Sequence, residues 1–304
     1  MKAGKYNIEI SNGSKILYPG DNITKQNVID YYDRVSDRML PLMKDRLLTM
    51  QRFPNGIGKQ GFYQKDRSDY FPDWIKSKEI KKEGGHVDQL ICNDKATLIY
   101  LANQGCLTFH IWLSKVKAIN YPDKLIFDLD PPGNNFAIVK KAAFVIKDLM
   151  ENEMDMSVFP MTTGSSGLHI VSPLKAKEDF DTVRRFAKKV STYLSIKYPD
   201  DYTVDIRKDK RKGRLFLDYL RNAYAQTGVA PYSLRAIKGA PVATPLSWGD
   251  LNKKNTNSQS YNINNIFKRL SGLSGDPWEG FAKKAKSISK AEKKLDKITE
   301  SIDS

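Results

Sequence analysis

The sequence is poor in cysteine and in long apolar segments, and each shortage excludes a class of protein. Its 304 residues contain two cysteines, Cys92 and Cys106, which are too few for a disulfide framework and lack the spacing of a zinc site. No segment approaches the roughly 20 apolar residues of a membrane span, and the N-terminus lacks a signal-peptide core. We therefore expect a cytoplasmic protein that does not associate with membranes.

Acidic residues are also in the minority. The chain has 35 Asp and Glu against 50 Lys and Arg, which leaves a formal net charge of +15. Such an excess favours a polyanionic partner, and nucleic acid is favoured over a membrane surface because no basic amphipathic anchor is visible. A solvated basic surface without a specific partner is the alternative.

Strand-like and helical patterns alternate along the chain and indicate an α/β or α+β fold with a mixed sheet. The predicted helices cover residues 25–43, with Thr24 as N-cap, and 96–105, 136–152 and 179–199. The predicted strands cover residues 107–114, 124–130 and 168–174, followed by two strands joined by a basic turn at 207–214. Residues 76–89, with several lysines and two adjacent glycines, are predicted to form a mobile loop.

Two carboxylates stand at the end of one predicted strand. In KLIFDLDPP, Asp128 and Asp130 are two residues apart and therefore point to the same face. At about 4 Å and an effective dielectric of about 20, their repulsion is on the order of 4 kcal/mol, so solvation, protonation or a cation must offset it. An aspartyl phosphatase is disfavoured because Pro132 occupies the position where that motif has a small or β-branched residue.

A third carboxylate, Asp218, lies in the apolar stretch RLFLDYL. Three carboxylates at adjacent strand ends could hold hard divalent cations through oxygen ligands. Three separate salt bridges to the many basic residues are an equally good reading of the spacing, and the pattern alone leaves both open.

A Ser/Gly loop, TTGSSGLH, leads into the strand that follows it. Backbone N–H groups and hydroxyls in such a loop can cradle phosphate oxygens, and His169 stands just past its last glycine. A loop of this kind is more often a simple turn. The nearby carboxylates and the basic surface favour the phosphate site.

Several motifs together carry a family resemblance. FDLDPP, TGSSGLH, LDYLRNAYAQT and YSLRAIKGAPVATPL, in this order, resemble the polymerase domain of bacterial DNA ligase D. That domain belongs to the archaeo-eukaryotic primase superfamily and serves non-homologous end joining. The resemblance runs from about residue 7 to 280. Since no ligase or nuclease segment is present, we expect the chain to resemble the stand-alone prokaryotic forms of this domain.

The resemblance implies a fold and a division of the chain. We expect one primase-polymerase domain over residues 1–304, with mixed sheets flanked by helices around a central catalytic cleft. An N-terminal portion to about residue 120 would contact the 5′-phosphate and template, residues 121–280 would form the catalytic portion, and residues 281–304 a basic tail.

The resemblance also implies site residues and a cofactor. Asp128, Asp130 and Asp218 match its metal ligands, which hold two divalent ions, Mn²⁺ or Mg²⁺. Its nucleotide contacts fall on Ser165 and His169 for the triphosphate, Arg235 for developing phosphate charge, and His110 for the 2′-hydroxyl of a ribonucleotide. A satisfied strand histidine is the alternative for His110.

The remaining implied residues are nucleic-acid contacts. Phe62 and Tyr63 match aromatics that stack on template bases, although FYQ could instead be core strand. Within the basic turn, Arg211 is the residue we select as a primer or template contact. Asn12, Lys15 and Lys25 match a pocket for the 5′-phosphate on the downstream side of a gap. Lys25 would also lie in a first helical turn, where free N–H groups favour an anion.

Two departures from the family pattern affect the nucleotide site. Ser166 replaces a lysine that often follows the serine of the phosphate loop, so one triphosphate contact is weakened or supplied elsewhere. Ile237 and Lys238 replace an Arg-Pro pair, which puts a second arginine in doubt but leaves Arg235.

The sequence thus predicts a template-dependent nucleotidyltransferase of end joining that fills gaps and extends 3′ ends, preferring ribonucleotides. The expected partners are DNA ends with gaps, 3′ overhangs and 5′-phosphates, NTPs or dNTPs, and, at the nucleoid, Ku and a separate ligase. The alternatives are a priming polymerase of replication or damage tolerance, and a non-catalytic end-binding or synapsis protein.

Overall fold

A computed structural model describes residues 1–133 and 135–300, which fall into two compact units. Unit 1 comprises residues 1–117, 227–244 and 261–274, and unit 2 comprises residues 118–226, 245–260 and the chain from 275 on. The predicted division near residue 120 lies beside the first change of unit. The units are nevertheless discontinuous, because two later segments return to unit 1. The predicted basic tail ends in four residues that lie outside the described part of the chain.

The described residues form strands and helices that we number along the chain. The strands are β1 (Lys2–Ala3), β2 (Tyr6–Asn7), β3 (Ile16–Tyr18), β4 (Ile23–Thr24), β5 (Leu48–Arg52), β6 (Phe62–Gln64), β7 (Ser77–Lys82), β8 (Gly85–Leu90), β9 (Cys106–Trp112), β10 (Lys124–Asp130), β11 (Phe159–Thr162), β12 (Leu168–Pro173), β13 (Tyr202–Thr203), β14 (Leu215–Asp218), β15 (Thr227–Val229) and β16 (Thr244–Pro245). The helices are α1 (Lys25–Met43), α2 (Lys95–Asn103), α3 (Phe136–Asp148), α4 (Phe180–Lys197), α5 (Trp248–Asn252), α6 (Ile266–Ser271) and α7 (Ser289–Glu300).

Unit 1 is built on an antiparallel sheet in the order β15-β9-β5-β6. Helix α1 begins as the sequence predicts: the Thr24 hydroxyl accepts from the Asn27 N–H, and the Asn27 side chain accepts from the Thr24 N–H. Its apolar face packs with α2 and β9 into the core of this unit. The Tyr32 hydroxyl lies in that core and donates to the Leu107 carbonyl of β9 at 2.6 Å.

Unit 2 contains a mixed sheet in the order β13-β14-β10-β12-β11-β16. Strand β10 is central and pairs antiparallel with both β12 and β14, while α3 and α4 pack against it. Its residues from Lys124 to Leu129 are buried, as expected of a strand with both neighbours in place. The strands on either side of the basic turn form as predicted, but β13 and β14 pair parallel to each other.

One predicted element is wrong. Residues 76–89 are not a mobile loop, because β7 and β8 pair as a regular antiparallel hairpin from Ser77 to Leu90. Glu83 and Gly84 form its turn, and Gly84 and the first residue of β8, Gly85, have φ of 76° and 145°, values that glycine adopts without strain. The alternation of this hairpin is hidden in the sequence because both faces carry charged residues. None of the described helices is long and apolar enough to cross a membrane.

Asn222 completes the sheet where β14 ends. Strand β14 pairs with β10 only as far as Asp218 opposite Asp128, so the main chain of Ile126 has no strand neighbour on that side. The Asn222 side chain takes this place: its Oδ1 accepts from the Ile126 N–H at 2.8 Å, and its Nδ2 donates to the Ile126 carbonyl at 2.7 Å. The side chain is 1% exposed, so water cannot replace these bonds.

Replacing this side chain should destabilise unit 2. We expect Asn222→Ala to lower the free energy of unfolding by about 2–4 kcal/mol, because it leaves two buried main-chain groups unsatisfied. Urea unfolding followed by circular dichroism measures the loss. Asn152→Ala, at an exposed position, is the control and should change stability little. Equal midpoints for the two variants would contradict this role of Asn222.

Candidate active site

Three polar side chains form a row across the sheet of unit 2. Asp128 on β10 is directly opposite Asp218 on β14 and directly opposite His169 on β12. Because directly paired residues point to the same face, the two carboxylates and the imidazole lie side by side. Asp130, two residues along β10, joins them at the strand end. Four residues of the predicted site are therefore together in one unit.

The Asp128 carboxylate is buried between two basic side chains. His169 Nε2 lies 3.4 Å from Asp128 Oδ1, while Arg221 Nη2 and Nε lie 2.7 and 3.2 Å from Oδ2. Burial alone would raise the pKa of Asp128. The charges and hydrogen bonds of His169 and Arg221 outweigh burial and hold the pKa well below its usual range. Asp128 is thus ionised throughout the physiological pH range.

For the other two carboxylates, Asp130 and Asp218, the effects that raise the pKa outweigh those that lower it. Desolvation of its carboxyl group, followed by the negative charge of Asp128, raises the pKa of Asp130. Burial raises the pKa of Asp218 too, and the Leu220 N–H that donates to its Oδ1 at 2.7 Å offsets only part of this. The repulsion expected from the sequence is therefore present, and two of the three carboxylates lack a full counter-charge.

Arg221 is a site residue that our sequence analysis missed. It stands in a 3₁₀ turn just after Asp218, and this turn brings the guanidinium back to Asp128. The usable signal was a basic residue three positions after a strand-end carboxylate. Such a residue can return to the same strand end, because one short helical turn spans three residues.

The Ser/Gly loop packs directly on the carboxylates. The Ser166 hydroxyl donates to Asp130 Oδ1 at 3.2 Å. A Cβ at position 167 would overlap the Leu129 carbonyl oxygen and lie 2.7 Å from Asp130 Oδ1, so the loop approaches β10 this closely only with glycine there. Ser166, the departure from the family pattern, thus contacts a carboxylate.

The loop is held from both sides. Thr163 Oγ1 lies 3.0 Å from Ser165 Oγ and accepts from the Gly167 N–H at 3.2 Å. The Ser165 carbonyl accepts from Ser258 Oγ at 2.8 Å and from Gln259 Nε2 at 2.9 Å. Ser258 and Gln259 belong to a polar surface loop, and their contact with the Ser/Gly loop could not be read from the sequence. The result is a fixed loop beside the acidic row.

The residue types at this site fit a hard divalent cation. Three carboxylates supply oxygen ligands, and a cation would stabilise the charged forms of Asp130 and Asp218. As arranged here, no group of three His, Cys, Asp or Glu side chains within residues 1–133 and 135–300 has metal-ligand spacing. In this arrangement His169 and Arg221 engage both oxygens of Asp128. The chemistry of the donors fits the expected ions.

Arg211 lies in the same unit but is engaged by its own loop. Its Nε donates to the Asp205 carbonyl at 3.1 Å and its Nη2 to the Ile206 carbonyl at 2.8 Å. The guanidinium also lies 4.1 Å from the centroid of the Phe216 ring. In this arrangement Arg211 fixes the basic loop, and its predicted contact with primer or template stays a prediction.

Unit 1 contains the remaining predicted residues. His110 on β9 pairs with Thr49 on β5 and Val229 on β15, and its ring lies 5.9 Å from that of Tyr63. Tyr63 and Phe62 on β6 are 62% and 47% exposed, so FYQ is not core strand. As neighbours on one strand the two rings point to opposite faces, and each is exposed enough to stack on a base.

Arg235 lies in a segment that buried tyrosines support. The Tyr18 hydroxyl donates to the Arg235 carbonyl at 3.0 Å, and the Tyr31 hydroxyl donates to the Tyr232 carbonyl at 2.7 Å. Tyr232 itself adopts φ of 65°, which is unusual for a tyrosine. These hydrogen bonds hold the backbone beneath Arg235 in a strained but defined path.

The two N-terminal lysines are brought together by β3 and β4. The Lys25 N–H donates to the Lys15 carbonyl at 2.8 Å, and the Lys15 N–H donates to the Asn12 carbonyl at 3.0 Å. Lys25 Nζ donates to the Ser11 carbonyl at 2.6 Å and Lys15 Nζ to Asn55 Oδ1 at 2.7 Å. Burial, followed by the charge of Lys15, lowers the pKa of Lys25. The two ammonium groups therefore form one cationic cluster, which the backbone of Asn12 adjoins.

Comparisons with known proteins agree with the motifs. A family model described as LigD, primase-polymerase domain, matches residues 24–278. The bifunctional non-homologous end joining protein LigD of Bacillus subtilis (strain 168) is 30% identical over 265 residues, which are 86% of this chain and 42% of that protein. The multifunctional LigD of Mycolicibacterium smegmatis is 31% identical over 247 residues, 80% of this chain and 32% of that protein. The chain thus spans less than half the length of these relatives.

A solved structure is similar over almost its whole length. The polymerase domain from Mycobacterium tuberculosis ligase D, in complex with DNA, matches with a TM-score of 0.85 and 27% sequence identity. The match covers 92% of this chain and 99% of that chain. These findings confirm the predicted mixed α/β primase-polymerase fold and, at the level of the family, the predicted class of enzyme. The chain belongs to the LigD primase-polymerase domain family.

Proposed function

We propose that the protein is a template-dependent polymerase of non-homologous end joining, which fills gaps and extends 3′ ends with a preference for ribonucleotides. The observation that carries this proposal is the acidic row of Asp218, Asp128 and Asp130 beside a fixed Ser/Gly loop, in a chain of the LigD primase-polymerase family. An end-binding protein without catalysis would have no use for carboxylates held together against their repulsion.

In this proposal the carboxylates hold two divalent ions. The chemistry that bound Mn²⁺ or Mg²⁺ supplies is activation of the primer 3′-hydroxyl and stabilisation of the leaving pyrophosphate. Asp128 and Asp218 place their oxygens on one face because their strands pair in register. Arg221 limits the repulsion around Asp128 and so keeps the carboxylate ionised and in place before nucleotide binds.

We assign four residues as contacts of the nucleotide. Ser165, in a loop fixed at its carbonyl by Ser258 and Gln259, offers its hydroxyl to the triphosphate. His169, buried beside Asp128, would contact the same phosphates. Arg235 would meet developing phosphate charge with its planar guanidinium, and His110 would contact the sugar 2′-hydroxyl.

The Lys15–Lys25 cluster supports end joining over general priming. Both ammonium groups bond to neutral oxygens, so their charges remain available to an anion. A 5′-phosphate on the downstream side of a gap is such an anion, and a priming polymerase has no need of it. On this proposal, Ku and a separate ligase act on the same ends.

Primer extension tests the proposal as a whole. Labelled UTP and dTTP are supplied with Mn²⁺ or Mg²⁺ on a gapped duplex, a 3′-recessed duplex and a single strand. We expect extension on the gapped and recessed substrates, with the gapped substrate preferred. Synthesis on the single strand alone would indicate a priming polymerase, and binding without extension on any substrate would indicate an end-binding protein.

The carboxylates should be essential for extension but not for DNA binding. Asp128→Asn and Asp130→Asn should each reduce the rate of extension by about 100-fold or more. Mutating a residue that merely hydrogen-bonds to a metal ligand typically lowers metal affinity or activity by about 10–100-fold, and losing the ligand itself should cost more. Removing negative charge should not weaken attraction to DNA. Quantitative primer extension and fluorescence anisotropy measure the two effects. Asp181→Ala, in the exposed first turn of α4, is the control. Near wild-type extension by either site variant refutes the metal site.

His110 should read the sugar. We expect His110→Ala to reduce incorporation of UTP more than that of dTTP, because it removes a polar contact to the 2′-hydroxyl. The ratio of kcat/KM for the two nucleotides measures the preference. His86→Ala, an exposed histidine on the β7–β8 hairpin, should leave the ratio unchanged. If UTP and dTTP lose equally, His110 does not select the sugar.

The lysine cluster should distinguish a 5′-phosphate from a 5′-hydroxyl. The wild type should bind and fill the phosphorylated gap better, because a doubly charged phosphate accepts charge-assisted hydrogen bonds. Lys15→Ala combined with Lys25→Gln should abolish this difference and leave extension of a simple recessed duplex nearly intact. The glutamine can still donate to Ser11. Lys2→Ala with Lys44→Ala removes the same charge at exposed positions and serves as control. A Lys15/Lys25 variant that still favours the phosphorylated gap argues against this pocket.

A further inference from the structure

A third exposed aromatic residue of unit 1, Tyr70, shares one guanidinium with Phe62, one of the two predicted stacking residues. Tyr70 is 61% exposed, comparable to Tyr63 at 62% and more than Phe62 at 47%. The Arg52 guanidinium lies 5.4 Å from the centroid of the Phe62 ring and donates from Nη1 to the Tyr70 hydroxyl at 3.0 Å. Phe62 and Tyr70 are therefore neighbours on one surface, although eight positions separate them in the chain.

Arg52 is held in place by further contacts. Its Nε donates to the Gln104 carbonyl at 3.0 Å, and its Nη1 donates to Gln64 Oε1 at 2.6 Å as well as to Tyr70. The residue is only 6% exposed. A buried guanidinium held through Nε and Nη1 fixes the tip of the Tyr70 ring while leaving the ring surface in solvent.

The turn that carries Tyr70 is fixed as well. Arg67 Nη2 donates to the Phe71 carbonyl at 3.1 Å and to the Pro72 carbonyl at 3.2 Å. Gln64 Nε2 donates to Ser68 Oγ at 2.8 Å, and Phe71 is buried in the core with its ring edge against Tyr70. An exposed aromatic ring held at both its backbone and its hydroxyl has little entropy left to lose on binding.

We propose that Tyr70 extends the base-stacking surface of Phe62 and binds an unpaired base of the template strand. This inference rests on the proposed polymerase function. It assigns to that function a contact beyond the two aromatics that the family resemblance implies.

The local charges favour a base over the phosphate backbone as the group that Tyr70 contacts. Asp69 precedes it, and Asp66 is exposed on the same loop. Arg67 is paired with Asp73 at 3.2 Å, and Lys65 is balanced by the two remaining carboxylates, so the loop offers phosphate no net positive charge. A base presents a π-face that stacks on any aromatic ring, and this interaction does not depend on ion release. A contact of this kind is insensitive to base sequence and to salt, as template binding at arbitrary broken ends requires.

Binding of overhangs of different length tests the proposal. The full chain is titrated, by fluorescence anisotropy, against a blunt duplex and against recessed duplexes with template overhangs of one, two or four nucleotides. A parallel overhang carries abasic sites in place of bases. Tyr70→Ala should weaken binding of the longer overhangs by about five-fold or more, the low end for loss of one aromatic stack, and leave blunt duplex binding unchanged. The loss should persist when salt is raised.

Three comparisons make the result specific. Tyr70→Phe keeps the ring and should retain most of the affinity, while Tyr121→Ala, an exposed tyrosine of unit 2, should have no effect. On the abasic overhang, wild type and Tyr70→Ala should bind alike. The proposal is overturned if a folded Tyr70→Ala variant binds every overhang as tightly as the wild type does. It is also overturned if the loss of affinity caused by Tyr70→Ala disappears at high salt. A wild type that neither prefers overhangs nor extends primers refutes the proposed function instead.

Discussion

The burial of Asp128 between Arg221 and His169 is the interaction on which the acidic site depends. A carboxylate at 4% exposure is costly unless it is paired, and here both of its oxygens are engaged. Desolvation, followed by the charge of ionised Asp128, raises the pKa of Asp130, and after burial the same charge contributes to the raised pKa of Asp218. The fold thus holds a deficit of positive charge at one strand end, which is the condition under which a divalent cation binds tightly.

The strands around Asp128 explain why this arrangement is rigid. Asn222 substitutes for a missing strand at Ile126, and the 3₁₀ turn that places Asn222 also places Arg221. Gly167 lets the Ser/Gly loop approach close enough for Ser166 to donate to Asp130. Ser166 therefore gives Asp130 a hydroxyl donor, where a lysine would have supplied a cation.

The sequence predicted what depends on local pattern. Alternation along β10 places Asp128 and Asp130 on one face, and the N-cap at Thr24 and the strand after the Ser/Gly loop are likewise local signals. Pairing between segments that are far apart in the chain could not be predicted from the sequence. The register that sets Asp218 opposite Asp128 joins positions 90 apart, and the pairing of Asp128 with Arg221 depends on that register. The β7–β8 hairpin was missed for a different reason, since a strand charged on both faces shows no hydrophobic period.

The Lys15–Lys25 cluster, like the acidic site, holds like charges close together without a full counter-charge, but here the charges are positive. Pairing of β3 with β4 brings two ammonium groups together, and burial and mutual repulsion lower the pKa of Lys25. Their acceptors, Ser11 and Asn55, are uncharged, so the hydrogen bonds orient the ammonium groups without neutralising them. A salt bridge would have stabilised the fold more at this point and left nothing to attract an anion. At both sites the chain therefore keeps like charges close together, and in each case the missing counter-charge belongs to the proposed ligand: a metal ion in unit 2 and a phosphate in unit 1.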